Sequence, residues 1–114
     1  MKNRNIKKKF PVPVYETDFY VEIVKDPNIT VHDHVETKQD IVYDGGFVYY
    51  DDKKIIVLPY NASPDLVAHE SLHCMDKILQ DINYEYRYMG EETAWLLGYI
   101  VKCCHETEKL RKKK

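Results

Sequence analysis

The sequence predicts an α+β domain, a small antiparallel or mixed sheet of about three to four strands packed on two helices. Two β-rich runs, Phe47-Val-Tyr-Tyr50 and Ile55-Ile-Val-Leu58, flank a charged link, Asp51-Asp-Lys-Lys54, and form a predicted hairpin. A third run, Phe19-Tyr-Val-Glu-Ile-Val24, alternates and is rich in β-branched and aromatic side chains. Past Ser63 the period changes to that of a helix, and Glu91 opens a second helical run.

Each element has its local cause. Phe10-Pro-Val-Pro-Val-Tyr15 reads as an extended segment whose prolines suit an edge rather than a central strand. Lys25-Asp-Pro-Asn28 is a turn, and residues 29–39 are polar without a firm period. Asp44-Gly-Gly46 is a turn signal ahead of the hairpin. Ser63 caps the first helix, Pro64 suits its first position, and Asp65 favours the positive end of its dipole. The stripe Ala68, Leu72, Met75, Leu79 is the expected core face, with His69, His73 and Asp76 at its rim. Residues 80–89 form a connection, in which Tyr84-Glu-Tyr-Arg-Tyr88 suggests a short extended lip. The second helix, residues 91–104, contains Gly98, which suggests close backbone packing.

A chain of 114 residues supports one core, and 44% hydrophobic with 32% charged residues fits an ordinary soluble protein. No apolar run has membrane-spanning length, and the basic start has no signal-peptide core behind it. Three cysteines, Cys74, Cys103 and Cys104, suit a reducing compartment better than a disulfide framework. The expected location is the cytoplasm. Residues 1–9 and 109–114 hold ten of the 17 basic residues, leaving seven against all 19 acids, a body of about -12. The expected organisation is a basic tail over 1–9, one domain over 10–108, and a second basic tail over 109–114. Nucleic-acid binding through the tails is the less favoured reading, and frayed, solubilising ends the simpler one.

The chemistry concentrates in His69-Glu70-Ser71-Leu72-His73, which reads H-E-x-x-H. Residues four apart share a helix face, so His69 and His73 can address one metal ion. Glu70 lies about 100° round the helix, placed to act as a base on water rather than as a ligand. The alternative is two surface histidines on an amphipathic helix. Independent helix signals around the motif favour the metal, and Zn2+ is the expected ion.

A catalytic zinc takes three protein ligands. The three-histidine extension H-E-x-x-H-x-x-G-x-x-H fails, because Asp76 stands at the glycine position and Leu79 at the last histidine. A glutamate from the second helix is the remaining source, and periodicity leaves Glu91 and Glu92 open. Cys103, Cys104 and His105 lie roughly 18–21 Å along that helix from Glu91, too far to share its site. The cysteines read as packing, as does Cys74. His32-Asp-His34 is a weak second candidate, more simply read as solvated side chains.

The motif, 17 intervening residues and then Glu91-Glu-Thr-Ala-Trp-Leu-Leu-Gly-Tyr-Ile100 resemble the compact glutamate-type zincins. Within them the chain looks most like the short phage-encoded and ImmA/IrrE-like H-E-x-x-H proteins, over about residues 47–101. The resemblance implies a minimal zincin-like fold in which Glu91, three residues before Ala94, is the third ligand, with Glu92 as the alternative. It also implies a phage-infected bacterial host as one setting. One position departs: longer zincins carry an acid after that alanine, and here it is Trp95. Asp76 or Glu92 would then have to orient a histidine.

The expected function is zinc-dependent hydrolysis of peptide bonds in a specific intracellular protein target, with Glu70 as catalytic base. Tyr84, Tyr86, Arg87 and Tyr88 are candidates for stabilising the oxyanion, and substrate is expected to add along the hairpin edge. The competing expectation is a catalytically weak or inactive scaffold acting as a protein-binding inhibitor or regulator, to which ten tyrosines would lend contact surface.

Overall fold

The computed structural model describes residues 5–12, 17–27, 47–49, 54–81 and 91–113. Four strands form one mixed sheet: β1 (Ile6–Val12), β2 (Thr17–Val24), β3 (Phe47–Tyr49) and β4 (Ile55–Pro59), in the order β1-β2-β4-β3. Two helices follow, α1 (Pro64–Asp81) and α2 (Glu91–Lys112). The architecture is α+β, as the periodicities predict.

Strands β3 and β4 pair antiparallel with Val48 opposite Ile56, the expected hairpin. Strand β2 pairs antiparallel with β1 and parallel with β4, which makes the sheet mixed. Both neighbours of β4 are therefore strands. Ile55, Ile56, Val57 and Leu58 are all buried, the continuous apolar run of a strand covered on both faces. Strand β2 alternates instead: Phe19, Val21 and Ile23 face the main core, while Tyr20 packs beside Val24, Ile55 and Val57 on the other face.

Helix α1 packs against β3 and β4, and α2 against β1 and β2. The core between them holds Phe10, Phe19, Ile23, Ile56, Leu58, Ile78, Leu79, Leu96 and Ile100. Phe10 and Phe19 stand opposite each other in the β1–β2 ladder, with ring centroids 5.8 Å apart. Tyr99 meets Phe19 edge-on at 6.3 Å and donates its hydroxyl hydrogen bond to the Pro11 carbonyl, fixing α2 on β1. Proline at this position is consistent with the edge-strand expectation, since β1 ends the sheet.

Four expectations need adjusting. Ala68 and Leu72 are exposed, and the buried face of α1 is Val67, Glu70, Ser71, Cys74, Met75, Ile78 and Leu79. The helix is rotated so that Val67, Ser71, Cys74 and Ile78 lie inward, a second stripe with helical spacing that small side chains made less conspicuous. Residues 6–9 belong to β1 and residues 109–112 to α2, so these parts of the basic segments are structured. The lysines of β1 sit on an edge strand, and the end of α2 is held by Arg111, which is buried, pairs with Glu108 and stacks 4.1 Å from the Tyr60 ring centroid. Gly98 is exposed, and a Cβ built there meets nothing within 4 Å, so close packing is not its role. No helix among the described residues is long and apolar enough to cross a membrane. The polar segment 29–39, His32-Asp-His34, the Asp44–Gly46 turn and the Tyr84–Tyr88 lip lie outside the described residues.

Candidate metal centre

Helix α1 begins as its sequence requires. The Ser63 hydroxyl accepts from the Leu66 N–H at 3.3 Å, and the Ser63 carbonyl accepts from the Val67 N–H at 3.0 Å. Hydrogen bonds from the Ser63 side chain and then from its own backbone N–H hold the Asp65 carboxyl below its ordinary range, the behaviour of an anion at a helix start. At the other end, Lys54 just before β4 reaches Asp81 at 3.1 Å and Thr17 at 3.3 Å, tying α1 to the sheet. The motif lies mid-helix between these two anchors.

His69 and His73 are exposed, one turn apart, and their Nε2 atoms converge to 3.2 Å with ring centroids 4.8 Å apart. Two nitrogens each 2.0–2.1 Å from a tetrahedral zinc ion lie about 3.3 Å apart. The observed separation therefore suits a shared zinc ion, and equally an N–H···N hydrogen bond between the two rings.

Glu70 behaves differently from its neighbours. It is only 4% exposed, on the side of α1 that carries Val67, Ser71 and Cys74. Burial pushes its carboxyl above the ordinary glutamate value, and the positive potential of His69 and His73 offsets part of that rise. It accepts no hydrogen bond from any described residue, and no fully buried side-chain oxygen among them lacks a partner. The remaining exposure of Glu70 is therefore at its carboxylate. A desolvated carboxylate of this kind, beside two imidazoles, is a marker of a functional site.

The expected third ligand is placed less closely. Glu91 is the first residue of α2 and is exposed. No third His, Cys, Asp or Glu side chain among the described residues joins the pair, and the Glu92 side chain is not among them. Asp76, a candidate orienter, is half-buried and accepts a hydrogen bond from Gln80 at 2.9 Å. Trp95 is 45% exposed and stacks on Tyr99 with centroids 5.5 Å apart.

The cysteines take the packing role expected of them. Cys74, Cys103 and Cys104 are buried thiols, and Cys104 Sγ lies 3.9 Å from the Ser71 hydroxyl where α1 meets α2. Burial pushes Cys104 up to about 12 and Cys103 to about 11, so both stay protonated at neutral pH. Sequence reading missed the inward placement of Glu70 and Ser71. The signal was available in the 67, 71, 74, 78 spacing.

Comparison with protein-family models, with curated proteins and with solved structures found no match.

Proposed function

We propose that this chain is a small zinc-dependent metallopeptidase-like protein of the glutamate-type zincin kind. Its substrate is a peptide bond in a specific intracellular protein target. His69 and His73 hold the metal, Glu91 or Glu92 completes the ligand set, and Glu70 is the general base. The observation that carries this reading is the convergence of two imidazole nitrogens at 3.2 Å beside a buried carboxylate.

Zinc, when bound, supplies a lowered pKa for water and polarises the scissile carbonyl. The remaining work falls to the chain. Glu70 takes a proton from the attacking water as its oxygen forms a bond to the carbonyl carbon. The raised proton affinity of Glu70 suits it to that task and to the return step. There the C–N bond breaks and the proton passes from Glu70 to the leaving nitrogen. The buried stem of Glu70 limits the directions its carboxylate can take, a form of preorganisation.

The test is hydrolysis of a peptide library by zinc-loaded chain beside Glu70→Gln. The variant is expected to bind zinc as the wild type does and to lose at least about 100-fold in turnover, the scale of a missing general base. Equal turnover by both would refute the assignment. A second reading has its own support. Trp95, standing where longer zincins carry an acid, is exposed and stacked on Tyr99, a flat aromatic surface of the sort found in protein contacts. On that reading the scaffold is catalytically weak and binds a protein as inhibitor or regulator, and target binding survives Glu70→Gln.

A further inference from the structure

The fold brings together two basic segments that the sequence separates by a hundred residues. Between β1 and the last turns of α2 runs a groove of about 370 Å³, lined by Lys8, Phe10, Glu106, Lys109, Leu110 and Lys113. Its lining holds three lysines, one glutamate and two apolar side chains. The groove lies on the β1–β2 half of the molecule, whereas the His69–His73 pair is carried by α1 over the β3–β4 half.

One wall of the groove is a strand at the end of the sheet. Strand β1 pairs with β2 alone among the described residues. Pro11 has no N–H for the ladder, and its carbonyl is taken by Tyr99, so its backbone faces away from β2. In an antiparallel ladder this alternates, which turns the backbone groups of Lys9 and Lys7 outward too. A helix running beside such an edge is the arrangement that accepts an extended peptide as an added strand. Alternate side chains of that peptide would enter the groove, above Phe10 and Leu110 and between Lys8, Lys109 and Lys113.

We infer that the β1–α2 groove is a docking site for an extended acidic peptide segment of a partner protein, added as a strand along Lys7–Lys9, with carboxylates on the three lysines and an apolar side chain over Phe10 and Leu110. Charge decides the occupant. A second copy pairing through the same edge would set Lys7, Lys8 and Lys9 against their own equivalents, a destabilising arrangement. Nucleic acid fits less well, because Glu106 stands in the groove and would repel a phosphate backbone.

The test is fluorescence anisotropy with a short labelled peptide carrying glutamate, leucine and glutamate at alternate positions, threonine between them. A lysine-for-glutamate peptide and a labelled single-stranded oligonucleotide serve as comparisons. The acidic peptide is expected to bind at least about tenfold more tightly than either, an advantage that high salt reduces. Lys109→Glu with Lys113→Glu, both exposed positions, is expected to weaken it at least about tenfold while the far-ultraviolet circular dichroism is unchanged. Lys9→Pro removes an outward N–H without touching the β1–β2 ladder, and is expected to weaken binding where Lys9→Ala does not. No binding of the acidic peptide, indifference to the Lys109 and Lys113 reversals, preference for the oligonucleotide, or equal effects of Lys9→Pro and Lys9→Ala would each overturn the inference.

Discussion

Replacing Glu70 with glutamine should stabilise the metal-free protein at neutral pH, and the effect should fade in acid. The side chain is 4% exposed and accepts no hydrogen bond from a described residue, so its ionised form keeps only slight contact with water and gains no direct partner in exchange. Burial raises its proton affinity, and the two histidines compensate only in part. Between the ordinary glutamate pKa and the raised folded one, the native state binds more protons than the unfolded chain. Native stability therefore falls as pH rises through that window. Leaving a buried polar group unpaired costs about 1–3 kcal/mol, and glutamine keeps a polar amide there, so about 1 kcal/mol is the expected gain. For a chain of this size that is roughly 4 °C in melting temperature. Thermal melts by circular dichroism in chelator, at neutral pH and again near the ordinary glutamate pKa, read it directly. The variant should melt higher at neutral pH and converge with wild type in acid. A Glu70→Gln melting temperature at or below wild type at neutral pH would show that the carboxylate is not strained by burial.

Two other expectations follow from packing. Gly98→Ala should raise stability by about 1 kcal/mol in a urea titration, because the position is helical and exposed and a Cβ meets nothing there. An unchanged or lower midpoint would mean that the glycine has a role the structure does not display. In the folded chain all three thiols should resist a disulfide reagent at mildly alkaline pH, since burial pushes Cys103 to about 11, Cys104 to about 12 and Cys74 higher still. They should react stoichiometrically once denaturant is added, and a fast-reacting native thiol would contradict their buried placement.

Much of this fold was readable from periodicity because the signals are local. The hairpin of β3 and β4 follows from two β-rich runs and a short charged link, and the start of α1 from Ser63 and Pro64. What was not readable depends on tertiary contact. The parallel pairing of β2 with β4 has no local signature, although the unbroken run Ile55–Leu58 hints at a strand covered on both sides. The rotation of α1 was ambiguous because two apolar stripes coexist, and the choice between Leu72 and Cys74 depends on which one the sheet receives. That rotation mattered for the site. It leaves His69 and His73 outside and turns Glu70 inward. The length of α2 was underestimated because its last turns are lysine-rich, yet Arg111 finds Glu108 and Tyr60 there. For the candidate site, helical spacing alone places the histidine pair. The third donor depends on where a second helix begins, and periodicity left Glu91 and Glu92 equivalent.

The central claim is that His69 and His73 are ligands and not a surface hydrogen-bonded pair. The most direct measurement is metal content, by atomic emission, of purified wild type beside His73→Ala and Glu91→Ala after equilibration with zinc and removal of excess. One zinc ion per wild-type chain is expected, lost in His73→Ala, with Glu91→Ala losing it only if Glu91 rather than Glu92 is the third ligand. Wild type without bound zinc, or His73→Ala retaining it in full, would contradict the account.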